Sequence, residues 1–423
     1  MKPKYAKSVL MMILMLCASL AGCLDAEEEE EEVKEETSPD WLDASDAGYT
    51  YASNVDNHRS LMKDLCDIKS AASSDGGYDF ATAKDIYMNG KNAEKDDGSF
   101  RTLHGFASAT GKNHGYDSYY GADGSVDAHI MAALDGTGDF EGTSDTVRYQ
   151  GIAKLTVNMG MVAYTIHELN SAISKADAGN VDNDSGAPHN WDEGWAFFHG
   201  PDEDWGCSPA YVMKKRAADF GTETDGVSNA LSATEAAMVD GLTALQAEDQ
   251  EGYTGAADTV VKNLIITYSQ ATLKYTAKMD SNESAEKYQA EGYAFWKAIE
   301  AYSAQYTDGC YNTVTHVVDL IGDYDAAACD EYQYYENMST PGGGTYTGCY
   351  NMATHQTTDD DENSCNNGYS NATFMDMYGA QKINEILNLQ DSSQLGTSYD
   401  IAPHLEHVWS HYGITSEDIG TYS

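Results

Sequence analysis

The chain has 423 residues and carries 69 acidic against 24 basic side chains, a net charge of −45. A surface so acidic excludes nucleic acid and anionic lipid as partners and favours cations, held either as salt or as cargo. The length suits roughly two or three domains, each able to bury a core.

Lys2, Lys4 and Lys7 form a basic head, followed by an apolar run over residues 8–20 that is short for a membrane span. It ends in Leu20-Ala21-Gly22-Cys23, which has the form of a bacterial-type lipobox. The expectation is a signal over 1–23, with Cys23 lipidated, followed by an acidic, self-repelling tether over 24–45. The mature protein is then extracytoplasmic and touches the membrane only through its lipid. Six further cysteines, Cys66, Cys207, Cys310, Cys329, Cys349 and Cys365, lack the tight spacing of a zinc site and suggest up to three disulfides.

Helical periodicity dominates the rest. Ile152, Leu155, Met159, Val162 and Ile166 recur at helical spacing, and residues 260–279 and 283–306 read the same way. Another helix is predicted over 374–389, and Asn89-Gly90-Lys91-Asn92 reads as a turn after a helix. The fold class expected is all-α, helical bundles joined by long Gly/Asp/Asn-rich loops.

The sequence also repeats itself. Residues 151–164 align with 259–272, Lys154 on Lys262, and "DEGWAFFHG" aligns with "AEGYAFWKA", Glu193 on Glu291. The spacing from Lys to Glu is 39 in one copy and 29 in the other, a difference that falls in a loop. The predicted units are a helical repeat over 46–240 and a second over 241–423 that carries a disulfide-rich insertion.

Each repeated glutamate falls in an apolar helical stripe; for Glu291 this holds Tyr288, Phe295, Ile299 and Tyr302. A buried carboxylate needs a partner. One candidate is lysine, with Lys154 and Lys262 as repeat-matched bases and no function implied. The other is a metal ion. In the first copy Asp192, His189, His167 and Glu168 can join Glu193, a carboxylate–imidazole set that suits iron, manganese or zinc. In the second copy Thr276 stands in the slot of Glu168, so Lys262–Glu291 is expected as a structural ion pair. His404, His407 and His411 share a helical face and read as structural, while His104 and His114 read as solvated loop residues. No nucleophile elbow, Walker A loop or dinucleotide fingerprint is present.

The segments "IYMNGKN", "AALDGTG" and "WDEGWAF" resemble the iron-assimilating, low-iron-inducible periplasmic proteins first known from green algae. The resemblance implies extracytoplasmic iron binding for uptake, with synthesis raised when iron is scarce and a membrane iron permease as a candidate partner. The lipobox and acidic tether depart from that pattern and look prokaryotic. The sequence thus points to a lipid-anchored binding protein for iron, of the ferric form, rather than an enzyme. Its rivals are an imelysin-like helical surface protein related to metallopeptidases and a structural acidic surface protein without metal. His167 followed directly by Glu168 argues against the G-x-H-x-x-E motif of the imelysin type.

Overall fold

The computed structural model describes residues 45–201 and 206–422. Cys23, the signal and the tether up to residue 44 lie outside the described residues.

Eight helices position the site: α1 (Asp56–Ala72), α2 (Asp145–Lys154), α3 (Met161–Asp177), α4 (Ala187–His199), α5 (Pro209–Phe220), α6 (Asn229–Gln246), α7 (Gln250–Ala277) and α8 (Ala285–Lys297). Their ends follow local chemistry. Ser144, Ser208, Ser228 and Asp249 each accept a backbone N–H from the first turn, which satisfies a donor that the helix itself cannot. Pro188 and Pro209 sit in first turns, where a missing N–H costs nothing. Between α2 and α3 the helix widens into a π turn over Leu155–Gly160, with the Asn158 amide donating to the Lys154 carbonyl at 2.7 Å.

The closest helix pairings are α6 with α7, α3 with α4, α7 with α8 and α8 with α2. One buried apolar cluster runs through these helices and both sequence repeats. Trp191, Trp195, Phe197 and Trp296 are buried within it, and each such ring contributes a large apolar area. The mostly helical class is as expected. In each half, a helix carrying E-G-[WY]-A-F packs on the long helix before it.

Two predicted helices are shorter than their patterns. The stretch 283–306 breaks at Lys297, and Ile299 leaves helical geometry at φ −126°. Ile299 and Tyr302 are still buried, but not along one continuous helix from Glu291. In 374–389, Phe374 and Met375 belong to a strand and the helix runs Tyr378–Ile386. The turn after Asn89 is present: Gly90 takes φ 72°, and Asn92 donates to Asp64 and Asp67.

The disulfide-rich region is mostly β, with Cys365 on the short helix Glu362–Gly368. Strands β1 (Asp308–Tyr311), β2 (Val318–Gly322), β3 (Tyr332–Ser339), β4 (Thr345–Asn351), β5 (Thr357–Thr358) and β6 (Thr373–Met375) form two antiparallel sheets, ordered β6-β1-β2 and β3-β4-β5. They enclose a second, smaller core holding Cys310–Cys329 and Cys349–Cys365. Hidden in it is a short repeat, C-Y-N-x-x-T-H, at 310–316 and 349–355. In both copies the Asn side chain accepts the two backbone N–H groups of the turn, and the Tyr hydroxyl meets the His ring at 2.6 and 2.7 Å. Cys66–Cys207 links α1 to the segment before α5. All six later cysteines are therefore paired.

Candidate metal centre

Helices α3 and α4 approach each other closely because of a glycine. A methyl group at Gly194 would stand 3.3 Å from the Leu169 side chain and 3.5 Å from Glu168 Cβ. The glycine of E-G-W-A-F thus lets the two helices close until the Glu168 and Glu193 carboxylates meet. Both glutamates are buried, Glu168 at 5% exposure and Glu193 at 9%. Asn190, one turn back on α4, donates to Glu168 Oε2 at 2.6 Å and to Glu193 Oε2 at 3.5 Å.

Two imidazoles converge on the same carboxylate oxygen. His58 Nε2 from α1 is 3.0 Å from Glu193 Oε1, and His189 Nε2 from α4 is 3.2 Å from it. His189 is the more open of the two, its side chain 24% exposed. His167 lies on the far side of Glu168, with Nε2 3.8 Å from Oε1, and its Nδ1 accepts the Asn113 backbone N–H at 3.0 Å.

Proton positions follow from burial and partners. Burial raises the Glu168 pKa well above the ordinary carboxylate range, and the charge of Glu193 beside it adds to this. Burial would also raise Glu193, but His58, His189 and the Glu168 carboxyl hold it well below that range. Glu168 therefore keeps the proton and Glu193 the charge. Burial brings His58 down to about 3 despite the pull of Glu193, so its ring is neutral. His167 is likewise lowered to about 3 by burial, helped by Lys112 and His114. Burial opposes charge on His189 too, but the hydrogen bond and charge of Glu193 outweigh it and its pKa is raised.

Asp192 is not part of this donor set. It is fully buried and accepts from the Tyr49 hydroxyl (2.7 Å), the Ala52 and Ser53 amides (3.2 and 2.7 Å) and Ser53 Oγ (2.8 Å). With four hydrogen bonds from residues 49–53, its carboxylate is committed to that segment rather than to the Glu193 cluster. Burial, opposed by these donors, leaves its pKa raised to about 6. Its role is in the layer behind the donors. Ser53 Oγ gives its one proton to Asp192 and so accepts from His189 Nδ1, 2.8 Å away. That fixes the His189 ring and directs Nε2 at Glu193, an arrangement typical of metal-ligating histidines.

The structure gathers four of the five predicted metal residues, Glu193, Glu168, His189 and His167, and sets Asp192 behind them. His58 was missed. It sits 135 positions before Glu193, and its signal was a histidine in the apolar stripe with Leu61, Leu65 and Ile68. Among the described residues no group of three or more His, Cys, Asp or Glu side chains is placed so that it could hold a metal ion. The cluster is closed by its own hydrogen bonds and ion pairs.

Of the other histidines, several take partners of their own, while His404 Nδ1 is buried without a hydrogen bond. His407 meets the Leu320 carbonyl and Gln356, and His411 stacks on Tyr306. His104 meets Asp127 at 2.9 Å, and His114 is buried rather than solvated, because its Nδ1 accepts the Tyr116 N–H.

The expected Lys262–Glu291 pair is absent. Lys262 Nζ reaches the Gly413 carbonyl at 2.7 Å and Asp418 at 3.8 Å. Glu291 instead has Lys154, from the other repeat, at 3.7 Å. The reason is packing: α8 lies against α2 as well as α7, so the lysine facing Glu291 comes from α2.

The fold and site define a mostly helical, disulfide-bonded protein with a buried carboxylate–imidazole cluster. The chain belongs to the low iron-inducible periplasmic protein family, whose model matches residues 40–327. It is thereby an extracytoplasmic-type protein linked to iron assimilation. Comparison with curated proteins and with solved structures finds no match. Among the described residues no helix is long and apolar enough to cross a membrane.

Proposed function

We propose that the chain is a lipid-anchored, extracytoplasmic iron-binding protein that takes up ferric iron at the Glu193 cluster and acts as a binding protein, not an enzyme. The observation that carries this reading is the convergence of His58 Nε2 and His189 Nε2 on one oxygen of Glu193, with Glu168 beside it and Ser53–Asp192 fixing the His189 ring. Two carboxylates and two imidazoles form a hard-to-borderline donor set that suits iron. Glu193 supplies charge, His58 and His189 supply nitrogen, and Glu168 becomes a second anionic ligand on losing its proton. The 24% exposure of the His189 side chain gives an entry side.

Iron is cargo in this reading. The net charge of −45 raises the local concentration of cations around the protein, and the Cys23 lipid keeps the loaded protein beside a membrane permease. Metal analysis of purified protein, dialysed with and without chelator, tests iron retention. Retention that is equal in wild type and Glu193→Ala would argue against this site. Cys23→Ser tests the anchor: the variant should leave the membrane fraction, and unchanged fractionation would exclude lipidation.

A further inference from the structure

A second site stands on the opposite charge. In a chain with 24 basic residues against 69 acidic, four basic side chains, Lys69, Lys154, Lys215 and Arg216, line one cavity of about 70 Å³. A water needs roughly 10–15 Å³ by this measure, so there is room for about five waters or one small polyatomic ion. Random placement in so acidic a chain would surround a cavity with carboxylates.

Arg216 is the most buried of the four. Arg216 is 7% exposed; its Nη2 pairs with Asp219 at 2.9 Å, and the Tyr275 hydroxyl stands within hydrogen-bond reach of the guanidinium. A guanidinium carries five N–H donors, more than one carboxylate and one hydroxyl take up, so an anion beside it finds donors to spare. Lys154 adds an ammonium whose nearest carboxylate, Glu291, is at 3.7 Å, longer than a hydrogen bond. Asp219 is shared with Lys274 at 2.7 Å, so it is not free to neutralise Arg216 alone. The four lining cations, with Lys274 behind them, therefore share two carboxylates, Glu291 and Asp219. Lys69 and Lys215 stand at the more exposed rim, Lys215 with its ammonium over the Tyr211 ring.

The walls are fixed. Lys69 lies one turn beyond Cys66 on α1, and Cys66–Cys207 ties that turn to the segment carrying Gly206, another lining residue. The π turn after Lys154 brings Val157 and Asn158 into the wall, and such turns are common at functional sites. Tyr275 and Phe295 close the apolar side, with the guanidinium 5.7 and 6.0 Å from their ring centres.

We propose that this cavity binds a small phosphate-class oxyanion, held by Arg216 and Lys154 at the floor and by Lys69 and Lys215 at the rim. The site is separate from the Glu193 cluster and needs no iron. The test is calorimetric titration of inorganic phosphate into iron-free protein in phosphate-free buffer, with chloride at matched ionic strength as the control. Wild type should bind phosphate saturably and melt at higher temperature with it than with chloride. Arg216→Gln should weaken binding about tenfold or more, and Lys69→Gln and Lys215→Gln about threefold each. Lys382→Gln, at a lysine that does not line the cavity, should leave it unchanged. If Arg216→Gln does not fold, the two rim variants decide. No saturable phosphate binding by wild type, or equal binding by the rim variants and wild type, would overturn the proposal.

Discussion

Lys154 Nζ lies 3.7 Å from Glu291 Oε1, so the lysine of one sequence repeat faces the glutamate of the other. The Glu291 side chain is 8% exposed and that of Lys154 25%. Removing Glu291 strands a partly buried ammonium beside Arg216, and removing Lys154 strands the carboxylate. Glu291→Ala should therefore cost about 1–3 kcal/mol, below the range for fully buried pairs because Lys154 keeps some water. A double-mutant cycle by denaturant unfolding should find coupling between Glu291 and Lys154 and none between Glu291 and Lys262. Coupling to Lys262 instead would restore the pairing that the repeat alone suggested.

The Asp192 network predicts a stability effect separable from iron. Asp192 accepts four hydrogen bonds from residues 49–53, which dock the start of the described chain onto α4. An amide has one acceptor oxygen and brings two donors, so Asp192→Asn should destabilise by about 2–3 kcal/mol. Proteolysis within 45–55 should speed up in that variant. Unchanged stability would mean that the docking contributes nothing.

The cysteine pairings predict unequal losses. Cys66–Cys207 closes a separation of 141 residues, whereas Cys310–Cys329 and Cys349–Cys365 close 19 and 16. On the chain-entropy account, removing the long link should cost about 4–5 kcal/mol and each short one about 3 kcal/mol. Denatured, unreduced mature protein should show no free thiol among the six. Thermal unfolding of the paired Cys→Ser variants checks the order.

The protons at the centre set a pH dependence. The His189 pKa is raised above its ordinary 6.5. Its contribution to stability is therefore fully present below 6.5 and is lost as pH rises through the folded value. The iron-free protein should lose that contribution above about pH 6.5, and iron should restore it by taking the place of the proton. Iron affinity should rise with pH, because binding displaces protons from His189 and Glu168. Each displaced proton corresponds to about tenfold per pH unit. Glu168→Gln should flatten the slope by one proton. A chelator competition measured across pH 5–8, corrected for the chelator, reads it, and a flat profile in wild type would contradict the assignment.

Much of this was legible in the sequence because it is local. The E-G-W-A-F motif on a helix marks a glutamate in an aromatic face, and the spacing of His189 to Glu193 places them one turn apart. Glu168 was reachable because a helix continued from Lys154 brings it back to within about 40° of the same face, with His167 next to it in sequence. What escaped is non-local. His58 and Ser53 reach the site only through tertiary packing, and no spacing connects them to Glu193. The Lys154–Glu291 crossing escaped because a sequence repeat says which positions correspond, not which halves face each other. Asp192 stands next to Glu193 in sequence, but its partners Tyr49, Ala52 and Ser53 come from a distant segment that no spacing announces. The β region escaped because its short strands are held by disulfides and Asn-capped turns more than by alternating apolar residues.

The central claim is that iron binds where His58 and His189 meet Glu193. The most direct measurement is ferric titration from a competing chelator on wild type, His58→Ala and Glu193→Ala, with unfolding recorded on each protein. The account predicts one saturable site in wild type, weakened by about tenfold or more in each variant, with the stabilisation given by iron lost in Glu193→Ala. Wild-type iron affinity in Glu193→Ala, alongside a large loss of stability, would contradict it and leave the cluster a purely structural one.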